Sequence, residues 1–399
     1  MPLDPELWNR LETLFLEACR VPLNEQAQFI EANTEGNHEL KEELRRILKG
    51  HHKHSVLDAS IRGVLGEALA GEEVLSLERI GPYQPLKQLG AGGMGVVYLA
   101  WREDWKIQVA VKVPRDIWIA PDHLDRFQSE QQVLAQLTHP GIARIYEGGV
   151  RASGMPWFAM EYVDGEPITD YCRKEDLSAY DRLRLFLAVC EATQYAHSHL
   201  IIHRDLKPSN IFVTCEGKVK LLDFGIAKQM GEAAHVSILT KVGLHPVTLA
   251  YAAPEQILKN EVSIRTDIYA LGVVLYELLT NQLPFNFAGL NAVQAGEMVR
   301  DTEPVRPSAV GMRIPGLTDR HWEDLDVLIL KAMHKDVGQR YETVDALTRD
   351  AYHFLADEPL EACPDSAAYR LRKFVRRNQR TLSFAGTGLA VVIGLTVFF

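Results

Sequence analysis

A run of glycines near residue 90 is the first place where the sequence suggests chemistry. It reads G-x-G-x-x-G-x-V, from Gly90 to Val97. Glycine has no side chain, so backbone amides in such a loop can approach a polyphosphate closely. A Rossmann dinucleotide site has similar glycines, but there a helix opens directly after them. Here β-branched and aromatic residues follow, from Val96 to Leu99, which predicts a second strand and a glycine hairpin folded over the ligand.

A lysine follows this run at the end of an alternating apolar stretch. Lys112 closes the sequence Val109-Ala110-Val111-Lys112, and a helical pattern from Leu124 to Leu137 comes next. Glu130 in that pattern offers a carboxylate able to pair with Lys112 and hold it against phosphate oxygens. Taken alone, the lysine could simply extend its charged end into water, and the glutamate could lie on a helix surface. The motifs further along the chain decide between these interpretations.

The stretch from Ile202 to Ile211 reads IHRDLKPSNI, and Asp223-Phe224-Gly225 begins thirteen residues after Asn210. Ala253-Pro254-Glu255 follows in the expected place. Together with the glycine run and Lys112, these motifs resemble those of the eukaryotic-like Ser/Thr protein kinases, in the same order and spacing. The resemblance covers about 280 residues, from near Ile80 to Ala356.

The resemblance implies an α+β fold, the bilobal protein kinase fold. We expect a small β-rich N-lobe over about 80–160 and a large helical C-lobe over about 164–357. A small all-α region over residues 1–79 would precede the kinase domain, and a basic juxtamembrane segment (358–380) and a transmembrane helix (381–399) would follow it.

The kinase resemblance also assigns roles on the phosphate side. Lys112, held in place by Glu130, would bind the α- and β-phosphates of ATP. Asp223 and Asn210 would hold two Mg²⁺ ions, with Mn²⁺ as the alternative, because such ions prefer oxygen ligands. Phosphoryl transfer passes through a loose, charge-rich transition state, so positioning and neutralisation of the oxygens are the main demands.

Residues on the substrate side follow from the same resemblance. Asp205 would accept the proton of the attacking hydroxyl, and Lys207 would lie near the γ-phosphate and marks the Ser/Thr branch. Glu255 would pair with Arg340 to brace the substrate lobe. Asp267 resembles the buried aspartate that anchors the catalytic loop.

Adenine would bind under a hinge at Met160-Glu161-Tyr162-Val163, with Met160 as gatekeeper. Val97 and Ala110 would lie above the base and Phe212 below it. The full set of nucleotide-binding residues implied by the resemblance is Leu89, Gly90, Ala91, Gly92, Gly93, Met94, Gly95, Val97, Ala110, Lys112, Met160, Glu161, Val163 and Phe212.

The activation loop lies between Asp223 and Glu255. In kinases that carry an arginine directly before the catalytic aspartate, as Arg204 does here, a phosphate on this loop pairs with it. The resemblance therefore implies activation by phosphorylation, with Thr240 as first acceptor and Ser237 as second. The alternative is that both are merely solvent-exposed loop hydroxyls. Thr248 matches the threonine that faces the catalytic residues in this branch of the family. After Thr248 the loop lacks the Pro-Glu often found there, which leaves the peptide preference open.

The C-terminal 19 residues, Thr381 to Phe399, carry no charge. As a helix they would span about 28 Å, close to the roughly 30 Å of a bilayer's hydrocarbon core. Six basic residues and no acidic one precede them between Ala367 and Arg380. The positive-inside bias then predicts a single-pass protein of the inner (cytoplasmic) membrane with its kinase domain in the cytoplasm. A buried helix is the alternative, because three glycines interrupt the run.

The balance of charged residues limits the classes of molecule that the protein is expected to bind. The 43 basic and 53 acidic residues give a net charge of −10, which argues against nucleic acid as a partner. We expect protein substrates, the lipid bilayer, and a homodimer that phosphorylates itself in trans. A pseudokinase and a kinase of small molecules are the rival hypotheses; the first would normally have lost Lys112, Asp205 or Asp223, and the second usually lacks Lys207 and the Ala-Pro-Glu element.

Overall fold

The structure is a computed structural model, and the residues that it describes cover most of the predicted kinase domain. They are 78–92, 95–114, 134–151, 154–224, 249–258, 261–310 and 316–363, with positions 14, 30, 32–34, 41, 314, 369 and 373. Several predicted features therefore lie outside the described residues: Gly93, Met94, Glu130, Ser237, Thr240, Thr248 and the segment 381–399.

Five antiparallel strands form the N-lobe. They are β1 (Tyr83–Gly92), β2 (Gly95–Arg102), β3 (Ile107–Val113), β4 (Ile145–Val150) and β5 (Pro156–Glu161), in the spatial order β1-β2-β3-β5-β4. One face of the sheet forms a small core, with Val109, Val111 and Ala159 fully buried. Because side chains alternate along a strand, the residues between them belong to the other face.

The glycine run forms the predicted hairpin. Strand β1 ends at Gly92 and pairs with β2, which begins at Gly95, so a strand rather than a helix follows the glycines. Gly95 has a φ of +142°, and a β-carbon there would collide with the carbonyl oxygen of Val113. Only glycine fits this close approach between β2 and β3.

Cross-strand register places the nucleotide-binding candidates on one face. Val97 lies opposite Lys112, and Ala110 lies opposite Met160. Lys112 also lies opposite Phe158, which packs into the large core of the C-lobe. Directly opposed residues of an antiparallel pair share a face, so this face of the sheet is turned toward the C-lobe.

The C-lobe is helical in the described part of the chain. Its helices are α1 (Ile168–Lys174), α2 (Ala179–Ser198), α3 (Pro254–Ile257), α4 (Ile264–Thr280), α5 (Ala292–Asp301), α6 (Asp319–Ala332) and α7 (Val344–Leu355). Helix α4 runs through the centre, and 14 of its 17 residues are buried. A small second sheet, β6 (Gly165–Pro167), β7 (Ile211–Thr214) and β8 (Val219–Leu221), covers the C-lobe on the side of the hinge.

These two lobes confirm the bilobal kinase fold. The preceding all-α region stays a prediction, because only scattered positions before residue 78 are described. Within the described residues no helix is both long and apolar enough to cross a bilayer. The predicted membrane helix, residues 381–399, lies outside those residues.

Two described residues of the predicted juxtamembrane segment contact the C-lobe. Lys373 is 8% exposed, and its Nζ lies 2.6 Å from Asp324 Oδ2 and 3.0 Å from Asp357 Oδ1. The hydroxyl of Tyr369 donates to Asp324 Oδ1 at 3.0 Å and accepts from the N–H of Leu360 at 3.3 Å. The basic segment is thus joined to helix α6 and to the turn after α7 at these positions.

Candidate active site

Asp267, in the first turn of α4, organises the catalytic loop. It is 1% exposed, and its two carboxylate oxygens accept the backbone N–H groups of His203 and Arg204, each at 2.8 Å. The ring of His197 on α2 donates to the same carboxylate at 2.7 Å. Asp267 therefore holds the catalytic loop, as the resemblance implied.

The loop needs this anchor because it contains an unusual backbone conformation. Arg204 has a φ of +63°, a left-handed value that costs a non-glycine residue about 1–2 kcal/mol. Its N–H bonds to Asp267, and its carbonyl oxygen accepts from Gln256 Nε2 at 3.0 Å. Both backbone groups of Arg204 are therefore fixed by buried side chains, which sets the direction of the next residue, Asp205.

Three predicted catalytic residues lie together after this turn. The Asp205 Oδ2 atom accepts from Asn210 Nδ2 at 2.9 Å and lies 2.9 Å from Lys207 Nζ. Asn210 Nδ2 also donates to the backbone oxygen of Asp205 at 2.8 Å. Both of these bonds use the amide nitrogen of Asn210, so its side-chain oxygen is the atom suited to a cation.

Leu222 connects the catalytic loop to Asp223. Its N–H donates to the carbonyl oxygen of Asn210 at 2.8 Å, and its own carbonyl accepts from His203 Nε2 at 3.0 Å. The His203 ring packs against Phe224, with 4.5 Å between ring centroids. Burial lowers the pKa of His203, because a buried imidazole loses the hydration of its charged form.

Asp223 and Lys112 meet between the lobes. Their Oδ2 and Nζ atoms are 2.8 Å apart, with side-chain exposures of 23% and 15%. Sequence reasoning expected Glu130 as the partner of Lys112, and Glu130 lies outside the described residues. The direct pairing with Asp223 was not predicted. The pairing places the ammonium group expected to bind phosphate oxygens next to the carboxylate expected to bind Mg²⁺.

The nucleotide-binding candidates form two groups. Val97, Ala110, Lys112 and Met160 share the sheet face that is turned toward the C-lobe. Phe212 lies on β7, opposite Pro167, and is half-buried. Leu89, Gly90 and Ala91 are exposed on β1, as expected for a hairpin over a cleft, while Met160 and Val163 are buried. Gly92 and Gly95 flank the hairpin turn.

Glu161, at the end of β5, has contacts that the sequence did not suggest. Its carboxylate accepts from Lys220 Nζ at 2.6 Å and from the N–H of Arg144 at 3.1 Å. Its own N–H donates to the carbonyl oxygen of Arg144 at 2.8 Å. A residue predicted only to offer backbone atoms to adenine is thus fixed through its side chain as well.

The predicted pair of Glu255 and Arg340 is confirmed. Arg340 is 3% exposed, and its guanidinium donates to both oxygens of Glu255, at 2.8 and 2.9 Å. Thr266 donates to Glu255 Oε1 at 2.8 Å. Burial by itself would raise the pKa of Glu255, but the bonds from Arg340 and Thr266 outweigh it, and the pKa is lowered. The pair fixes α3, and with it the C-terminal end of the activation loop, to the rest of the C-lobe.

Comparison with known proteins agrees with this geometry. Residues 83–352 match the protein kinase domain family. Serine/threonine-protein kinase PknD of Protochlamydia amoebophila is 33% identical over 301 residues, which cover 68% of this chain and 30% of that protein. Serine/threonine-protein kinase PknB of Mycobacterium tuberculosis is 37% identical over 279 residues, covering 69% of this chain and 43% of that protein.

A solved structure resembles the same region. The crystal structure of the M. tuberculosis PknI kinase domain matches with a TM-score of 0.54 and 26% identity, covering 71% of this chain and 99% of that one. The chain spans less than half the length of the two curated relatives described above. The chain belongs to the protein kinase family, and its relatives are the eukaryotic-like serine/threonine kinases of bacteria.

Proposed function

We propose that this protein transfers the γ-phosphoryl group of ATP to serine and threonine hydroxyls of proteins. One observation carries the proposal: Lys112 and Asp223 pair at the junction of the lobes, and Leu222 joins Asp223 to the loop that holds Asp205, Lys207 and Asn210. The group that would bind the phosphates is therefore connected to the group that would receive the proton through the Lys112–Asp223 ion pair and the hydrogen bonds of Leu222.

The transfer needs a base beside the acceptor hydroxyl. The hydroxyl oxygen forms a bond to the γ-phosphorus, the bond from that phosphorus to the bridging oxygen of ADP breaks, and the hydroxyl proton passes to the Asp205 carboxylate. Asn210 and Lys207 both bind Asp205 Oδ2, which fixes the orientation of the carboxylate. The ammonium group of Lys207 also stabilises the negative charge of the phosphoryl group during transfer.

A divalent cation fits the same residues. Asn210 and Asp223 supply oxygen atoms, the ligand type that Mg²⁺ prefers and Mn²⁺ accepts. The ion, when bound, neutralises phosphate oxygens and lowers the cost of moving negative charge to ADP. The Lys112 ammonium group lies at the same position, 2.8 Å from Asp223.

Incubation with Mg²⁺ and ATP, followed by mass spectrometry of the protein and of an added protein substrate, tests the proposal. We expect phosphate on Ser or Thr residues in the wild type and none in Asp205→Asn. Labelling of neither protein, with the fold intact by circular dichroism, would favour the pseudokinase hypothesis. Consumption of ATP only when a small metabolite is added would favour a kinase of small molecules.

The activation loop is the first expected substrate. A phosphate on Thr240, or on Ser237, would pair with the Arg204 guanidinium and order the loop. Support comes from the Arg204 backbone, which is bound at both its N–H and its carbonyl oxygen. Replacing Thr240 and Ser237 together by alanine should lower the rate on an added peptide. An unchanged rate, with no phosphate on the wild-type loop, would remove this mechanism.

Membrane anchoring belongs to the proposal as well. Residues 381–399 would hold the kinase domain at the cytoplasmic face of the inner membrane, for signalling, and a homodimer would allow phosphorylation in trans. The support is the uncharged run and the basic residues before it. The full chain should remain in the membrane fraction at high salt, whereas purely electrostatic binding would be lost. Recovery of the full chain in the soluble fraction would contradict the anchor.

A further inference from the structure

An ion pair joins the hinge to the strand that leads to Asp223. Glu161 is the last residue of β5, and Lys220 is the central residue of β8. Their side chains are 29% and 16% exposed, and Lys220 Nζ lies 2.6 Å from Glu161 Oε1. The second oxygen of Glu161 accepts from the N–H of Arg144, so both carboxylate oxygens are engaged.

Strand β8 is tied to the same region through its backbone. The N–H of Leu221 donates to the carbonyl oxygen of Gly141 at 2.8 Å, and its carbonyl accepts from the N–H of Ala143 at 2.9 Å. Arg144, next along the chain, bonds to Glu161 through both backbone groups. The hinge, the segment 141–144 and β8 thus form a closed ring of contacts, in which Lys220 supplies the side-chain link.

The ring relates the two ends of the ATP site. The backbone at residues 161–163 is where the adenine would bind, and Asp223, three residues after Lys220, pairs with the phosphate-binding Lys112. A nucleotide bound at both ends needs them at a fixed separation. Fixing that separation before binding lowers the free-energy cost of ordering the site.

We propose that Lys220 and Glu161 are positioning residues for ATP: their ion pair holds the hinge backbone in place for adenine relative to Asp223. The inference rests on the proposed kinase function and adds two side chains to it. Neither side chain needs to touch the nucleotide. Their effect is on binding of the adenine end.

A second lysine on the same hairpin serves as a matched control. Lys218 pairs with Glu216 at 2.6 Å, but these side chains are 71% and 65% exposed, and neither is part of the ion pair with Glu161. An exposed pair of this kind contributes little, because water screens it. Lys218→Met therefore removes the same charge from almost the same place without breaking the link to the hinge.

The test measures steady-state kinetics of the full chain with ATP and a protein substrate. Lys220→Met should raise the KM for ATP by about five- to tenfold and change kcat by less than about twofold, the pattern of lost binding that does not depend on the transition state. Lys220→Arg should restore the wild-type KM, and Lys218→Met should leave it unchanged. The reversed pair, Glu161→Lys with Lys220→Glu, should recover part of the loss.

Two inhibitors separate positioning of the adenine from a general loss of structure. Adenosine probes the hinge end and inorganic tripolyphosphate the phosphate end, so Lys220→Met should weaken inhibition by adenosine and leave inhibition by tripolyphosphate unchanged. Equal weakening of both, or an unchanged KM for ATP, would overturn the proposal. A wild type that transfers no phosphate would instead contradict the kinase function, and adenosine binding measured by calorimetry would still test the ion pair.

Discussion

Replacement of Arg340 by methionine should destabilise the C-lobe severely. The Arg340 side chain is 0% exposed. Its guanidinium donates to both oxygens of Glu255, to the carbonyl oxygen of Arg265 at 2.9 Å and to that of His334 at 2.7 Å. Methionine fills a similar volume but donates nothing. Glu255, whose side chain is 5% exposed, would lose both bonds from Arg340 and keep the one from the Thr266 hydroxyl.

The size of the effect follows from burial. Removing one partner of a buried ion pair costs about 3–5 kcal/mol, because the remaining charge loses its compensation. Net stability is typically about 5–15 kcal/mol, so the loss is a large share of it. For a domain of this size, about 1 kcal/mol corresponds to about 2–4 °C in Tm, so we expect Tm to fall by roughly 10 °C.

Thermal unfolding of the full chain, followed by circular dichroism, measures this change. Arg349→Met is the control, since Arg349 is half exposed and pairs with exposed Asp345 and Glu361. The double variant Arg340→Met with Glu255→Leu removes the stranded carboxylate and should regain part of the loss. A fall in Tm no larger than that of the control, or a double variant no more stable than the single one, would refute the reasoning.

The same pair should make stability depend on acid. The pKa of Glu255 is lower in the folded protein than its usual value, so its contribution is complete above the unfolded pKa and is lost as pH falls through the folded one. Glu255→Gln should therefore flatten the decline of Tm at acid pH. An identical decline in wild type and variant would show that other carboxylates dominate.

Further changes test other parts of the structure. Lys112→Met and Asp205→Asn should each lower kcat/KM for phosphoryl transfer at least about a hundredfold, the usual scale for loss of an electrostatic stabiliser or a general base. Tm should stay nearly unchanged in both. Wild-type turnover in either variant would refute the role assigned to the replaced residue. Burial lowers the pKa of Lys335 to about 8, so this lysine destabilises the folded state below that pH, and the destabilisation disappears as pH rises toward the pKa of the unfolded chain. The Tm of the wild type should therefore rise relative to that of Lys335→Met between about pH 8 and 10. Parallel curves of Tm against pH would contradict this. Lys373→Met removes the ion pairs with Asp324 and Asp357, so amide exchange at Leu360 should accelerate. Unchanged exchange would mean that these ion pairs do not hold the segment.

Local features of the fold could be predicted because they follow from neighbouring residues. The β-branched and aromatic residues after Val96 predicted a strand after the glycines, and the hairpin from Gly92 to Gly95 confirms it. The pair of Glu255 and Arg340, 85 positions apart, came from family resemblance and not from any local pattern.

Contacts between distant side chains could not be predicted in the same way. The pairing of Lys112 with Asp223 depends on how the lobes meet, and that of Lys220 with Glu161 on how β8 lies against the hinge. A charged residue in a strand gives no signal of its partner, since many carboxylates are available along the chain. The contact of Lys373 with Asp324 and Asp357 has the same origin.

The backbone at the active site explains why a helix without reacting groups matters to the chemistry. Arg204 and Asp223 have φ values of +63° and +54°, which cost non-glycine residues about 1–2 kcal/mol each. The hydrogen bond that Asp267 accepts from the Arg204 N–H, and those between Leu222 and the catalytic loop, hold these conformations and so orient the carboxylates of Asp205 and Asp223. Such strain persists only where the surroundings over-determine it. The buried start of α4, which carries Asp267, therefore sets the direction of a carboxylate that it does not touch.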